Sequence, residues 1–268
     1  MIGPGMIETG MVEAGMDEIR RVLVMLEPGA GEARVPELAT RIAAEISADL
    51  DALLVQDAAL LAAAGLPFAR EVMTATGSVR RLTPEDIEVG FQVLARKLEL
   101  RIGALAGEAG LRWSFRSVCG EPLAQIVAAA PESDLLLLAA PRAARFDLDA
   151  MRQLVHQIGR PAIFLTGRRT GKPGVSMVGA THGLQEGILA AAASLARALS
   201  GELTIYAQAS DAAGDIRQRQ LAAVLPPDLR LRIASAGAPE LAEALTSEAI
   251  LIVPDRQSRP SAGDPEIA

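Results

Sequence analysis

The feature that most limits the folds open to this chain is a stretch that occurs twice. Gly120-Glu121-Pro122-Leu123, a helical segment and the run Leu135-Leu136-Leu137-Leu138-Ala139-Ala140-Pro141 are echoed further on. The echo is Gly237-Ala238-Pro239-Glu240, a second helical segment and Ile250-Leu251-Ile252-Val253-Pro254. Each is a turn, a helix and a short apolar strand closed by proline. Two diverged copies of one domain account for the pattern.

The remaining apolar periodicity fits an α/β unit. Arg21–Leu26 is a short apolar run closed by Glu27-Pro28-Gly29, which reads as a buried strand. Pro36 suits a first helical turn, and Leu38, Ile42 and Ile46 follow at helical spacing. Residues 50–55 give a second strand, and a strand–helix–strand order implies a parallel pair with a right-handed crossover. Residues 57–82 are less regular, with a short helix and then a surface excursion expected. Thr83, Pro84, Glu85 and Asp86 then open a long helix whose stripe is Ile87, Phe91, Leu94, Leu98, Ile102 and Leu105. That helix is expected to be apolar on one side only.

Further strands are expected at 111–118, 134–140 and 162–165, with helices from Pro122 to Ala130 and around 147–158. After the polar segment Gly167-Arg168-Arg169-Thr170-Gly171-Lys172-Pro173-Gly174 the grammar restarts. Strands are expected at 175–180, 203–206, 229–233 and 249–253, with a helix striped by Leu184, Ile188, Leu195 and Leu199. The expected division is a flexible leader 1–19, a first domain 20–166, a linker 167–174, a shorter second domain 175–256 and a tail 257–268. The fold class is α/β, with two doubly wound, Rossmann-like parallel sheets in tandem and the second one shortened.

Composition narrows the function. Half of the 268 residues are hydrophobic but only 3% are aromatic, so aliphatic side chains fill both faces of the sheets. The net charge is −7 with no long basic run, which speaks against nucleic-acid binding. No run reaches the roughly 18 apolar residues that would cross a bilayer. No signal-peptide pattern opens the sequence, so no membrane role and a cytoplasmic location are expected. Cys119 is the only cysteine, and His156 and His182 stand far apart, which leaves no set of metal ligands.

The order of elements, the duplication and Leu66-Pro67-Phe68-Ala69-Arg70-Glu71, followed by a long amphipathic helix and Trp113-Ser114-Phe115, resemble the universal stress protein family. The resemblance implies a five-stranded parallel sheet of spatial order 3-2-1-4-5 in each copy, and homodimers or tandem pseudo-dimers. It also implies a crevice at the carboxyl ends of strands one and four, where some members bind ATP or AMP. Those members resemble one another in an acidic residue closing strand one and a glycine-rich loop after strand four, whose bare amides close around phosphate.

Here that loop reads Ala139-Ala140-Pro141-Arg142-Ala143-Ala144-Arg145-Phe146-Asp147, with no glycine, and Pro141 removes a donor. The second copy, Val253-Pro254-Asp255-Arg256-Gln257, lacks the motif too. Crevice candidates are Glu27, Val55, Pro141, Arg142 and Arg145, with His182 at the matching strand end of the second copy. Arg142 and Arg145 could replace the glycine cradle with guanidinium forks, although solvated charges are the commoner outcome. Cys119 is expected to be a small buried hydrophobe, and His156 structural.

No catalytic constellation is present: Gly-x-Ser-x-Gly is absent, and Gly29-Ala30-Gly31 is followed by Arg34 where a dinucleotide motif needs glycine. The expectation is a non-catalytic stress-response or regulatory protein acting through protein contacts, with no cofactor. The alternative is an ATP- or AMP-binding, or anion-binding, sensor. The partner is expected to be a protein or a second copy, with the two domains forming an internal pseudo-dimer. Further homodimerisation is expected through an exposed edge such as Ala162–Leu165.

Overall fold

Strand β1 (Arg21–Leu26) is solvent-exposed at its first residue and buried from Val22 to Leu26, as a central strand of an α/β sheet must be. In the computed structural model the described residues are 19–26, 35–73, 76–139, 148–165, 175–178, 186–199, 201–207, 225–226, 228–235 and 250–253. Chain contacts divide it into two compact units, Arg21–Arg142 and a second that includes Ala143–Ala268.

In the first unit β1 is followed by α1 (Val35–Glu45), β2 (Asp49–Asp57), α2 (Ala58–Ala64), a hairpin of β3 (Arg70–Val72) and β4 (Val79–Arg81), and α3 (Pro84–Glu108). Then come β5 (Trp113–Gly120), α4 (Pro122–Ala129), a single 3-10 turn (Ala130–Glu132) and β6 (Leu135–Ala139). The unit's main sheet runs β5-β2-β1-β6, all parallel, with Val24 opposite both Ala52 and Leu137. In chain order that is 3-2-1-4, as expected.

Helices cover both faces. A Cβ at Gly103 of α3 would meet the indole of Trp113, whereas one at Gly120 would meet the amide of Gln125 on α4. Trp113 and Gly120 are an odd number of residues apart on β5 and so point to opposite faces. α3 and α4 therefore lie on opposite sides of the sheet, which makes it doubly wound. Between them Ile42, Leu50, Leu54, Ile102, Leu135, Leu136 and Leu137 are almost wholly buried. Each such aliphatic side chain contributes about 1.5–3 kcal/mol of transfer free energy.

α3 begins as its sequence dictates. The Thr83 hydroxyl accepts from the Asp86 N–H at 3.2 Å, while the Asp86 carboxylate accepts from the Thr83 N–H at 3.1 Å and from its hydroxyl at 2.8 Å. This reciprocal capping satisfies two of the free donors of the first turn. Leu98, Ile102 and Ala106 bury the inner stripe. The helix is not one-sided, however: Val89, Val93 and Leu100 are exposed. Successive residues turn by about 100°, which sets these three within one narrow sector opposite Leu98.

The second unit contains α5 (Leu148–Ile158), β7 (Ala162–Leu165), β8 (Val175–Val178), α6 (Glu186–Leu199), β9 (Glu202–Ala207), β10 (Arg230–Ser235) and β11 (Ile250–Val253). β10, β9, β8 and β11 are parallel in that spatial order, again 3-2-1-4 for the copy's own four strands. β7 pairs antiparallel with β11, Ile163 opposite Ile252. The edge expected to lie open at Ala162–Leu165 is thus occupied within the chain. Residues 1–18, the linker 167–174 and the tail 257–268 lie outside the described residues.

Candidate functional site

In an open α/β sheet the crevice forms where the winding reverses, here between β1 and β6. At that end β1 closes on Leu26 and β2 on Val55, Gln56 and Asp57. Leu26 and Val55 are both buried. Val55 is the one sequence-derived candidate among the described residues. Glu27, Pro141, Arg142 and Arg145 of the first copy, and His182 of the second, lie outside the described residues.

Gln56 was not legible in the sequence as a site residue. It is only 5% exposed, and its Nε2 has no hydrogen-bond partner. A buried amide donor left unpaired costs free energy, on the order of 1–3 kcal/mol. Its opposite number on β5 is Cys119. Cys119 is exposed, contrary to the buried role expected for it, because β5 pairs only with β2 among the described strands and its far side meets solvent. His156, in the last turn of α5, is likewise at the surface.

Two helices start at this end of the sheet, and a helix N-terminus usually offers free N–H groups to an anion. Here the chain's own carboxylates take them. Asp57 caps α2, its Oδ1 accepting from the Ala59 N–H at 2.8 Å. Glu121 caps α4, one oxygen accepting from the Leu123 N–H at 3.0 Å and the other from the Ala124 N–H at 2.6 Å. Among the described residues at this end of the sheet, the buried Nε2 of Gln56 is left without a hydrogen-bond partner. Among the described residues no group of three His, Cys, Asp or Glu side chains could hold a metal ion, and no helix is long and apolar enough to cross a membrane.

The strongest local electrostatics lie away from the crevice, at the start of α3. Asp86 is held below the usual aspartate range, chiefly by the hydrogen bond from the Thr83 hydroxyl, with the Thr83 N–H and Arg80 assisting against desolvation. Arg80 is raised in turn by its hydrogen bonds to Glu71 and then Asp86.

A search against protein-family models finds no match, and neither does a search of curated proteins. Solved structures do match. One is a universal stress protein from Archaeoglobus fulgidus, at TM-score 0.56 and 12% identity, covering 88% of this chain and 96% of that one. Another is a functionally unknown protein from Pseudomonas aeruginosa, at TM-score 0.53 and 15% identity, covering 90% of this chain and 94% of that one. Likeness at these identities establishes fold.

Proposed function

The chain has the universal stress protein fold, and from that premise we propose that it is a non-catalytic regulatory protein acting through protein contacts. The observation that carries this reading is the outer stripe of α3. Val89, Val93 and Leu100 are 59%, 66% and 58% exposed on a helix whose opposite side already packs the core. An isolated exposed aliphatic residue means little, but a run aligned along one helix face marks an interaction surface.

Light scattering across a range of protein concentrations tests it. The weight-average mass of the wild type is expected to rise with concentration, and replacing Val89, Val93 and Leu100 with serine is expected to abolish the rise. A wild type that stays monomeric, together with tight nucleotide binding, would defeat the reading. The unpaired amide of buried Gln56 favours a second one, an adenine-nucleotide or anion sensor in which that donor meets a ligand acceptor.

A further inference from the structure

The hairpin β3–β4 sets Arg70 opposite Arg81, Glu71 opposite Arg80 and Val72 opposite Val79. Side chains alternate along a strand, so these pairs sort onto two faces. One face is neutralised. Arg80 Nε donates to Glu71 at 2.6 Å and its Nη1 to Asp86 at 3.1 Å, which ties the hairpin to the first turn of α3.

The other face carries Arg70, Val72, Val79 and Arg81, all exposed. Two features there work against the isolated protein. Like charges stand directly opposite each other, an unfavourable cross-strand pair. Beside them two valines are 59% and 61% exposed. Arg70 donates to the neutral carbonyls of Ala69 and Pro67, and no carboxylate among the described residues pairs with Arg70 or Arg81. Phe68, 72% exposed, and Met73 extend the apolar surface at the two ends of β3.

We propose that this outer hairpin face is a docking surface for an acidic protein segment whose carboxylates pair with Arg70 and Arg81 while its aliphatic side chains cover Val72 and Val79. The inference rests on the protein-contact reading and names the chemistry of a partner. Charge complementarity selects the occupant: a carboxylate relieves the Arg70–Arg81 repulsion and gains charge-assisted hydrogen bonds. Arg70 and Val72 are two residues apart, the repeat of one strand face, so an extended segment with an acid and an aliphatic residue two apart matches it. An anionic bilayer is the poorer fit, because such surfaces recruit clusters of four or more basic residues.

The test is fluorescence anisotropy of the full chain with a labelled synthetic peptide, Glu-Thr-Val-Thr repeated three times, and with its analogue carrying Gln for Glu. Saturable binding that weakens with salt is expected, roughly tenfold or more tighter for the Glu peptide, as one lost charge-assisted pair would give. The double substitution Arg70→Glu with Arg81→Glu is expected to remove it, and Arg70→Gln with Arg81→Gln to weaken it, with unchanged circular dichroism in both. Equal binding of both peptides, equal binding by either double variant, absence of peptide binding, or uptake by phosphatidylserine vesicles in its place would each overturn the proposal. The serine variant of the α3 stripe separates the two claims. It is expected to bind the peptide as the wild type does, so failure at the hairpin and failure of the broader reading give different patterns.

Discussion

Gly103 of α3 lies directly against the indole of Trp113 on β5: a Cβ at Gly103 would stand 2.8 Å from the ring's Cζ2. That is closer than real side-chain contacts allow, so helix and strand can approach this nearly only because residue 103 has no side chain. Gly103→Ala must push the ring outward into solvent, which Trp113 at 39% exposure already meets. Overpacking costs about 1–3 kcal/mol and the gain in helix propensity returns at most about 1. The expected result is a net loss of about 1 kcal/mol in denaturant unfolding. Trp113 is the only tryptophan, so its emission should shift to the red in the same variant.

Gly90, on the same helix, gives the opposite sign. Nothing lies within 4 Å of a Cβ built there. Gly90→Ala therefore gains only the reduced backbone entropy of the unfolded chain and is expected to stabilise by roughly 0.5–1 kcal/mol. Urea midpoints of the two alanine variants, measured together, should move in opposite directions.

The capping pair of α3 predicts a pH dependence. The Asp86 carboxyl titrates lower in the folded protein than its ordinary value of 3.8. The folded state therefore favours the ionised form, and the contribution is complete above about pH 4 and fades as the pH falls through the lowered value. Asp86→Asn should destabilise near neutrality, and its deficit relative to wild type should close in acid. Thr83→Ala removes the other half of the cap and is expected to cost about 1 kcal/mol. Urea titrations of the three proteins at neutral and acidic pH check both statements.

In the second unit Ser176 is completely buried on β8, and its hydroxyl has no partner. Its neighbour across the sheet on β9 is Thr204. Ser176→Ala deletes an unsatisfied polar atom while leaving the backbone ladder intact. Stability is expected to rise by on the order of 1 kcal/mol. A fall in the melting temperature would show that the hydroxyl has a role the static structure does not display.

The alternation of strands and helices was readable because buried parallel strands are written as unbroken aliphatic runs. Arg21–Leu26, Leu135–Ala139 and Ile250–Val253 are such runs, and each lies where its run predicted. The β3–β4 hairpin was not readable, since two three-residue strands facing solvent leave too little pattern to detect. The outer stripe of α3 escaped notice for a different reason. Val89, Val93 and Leu100 interleave with the core positions, and a search for one apolar side absorbs them into it. At the crevice Val55 was accessible from its place at a strand end, whereas Gln56 was hidden because a polar residue ending a strand ordinarily faces water. The capping roles of Asp57 and Glu121 were available in principle from an acid set just before each helix.

The central claim is that protein contacts, and not adenine nucleotide, are what this fold serves here. Isothermal titration of the full chain with ATP and with AMP tests it most directly. The account predicts only heats of dilution, even at ligand concentrations that would saturate a micromolar site. Micromolar binding that Gln56→Leu or Arg142→Ala abolishes would contradict it and establish the crevice as a nucleotide site.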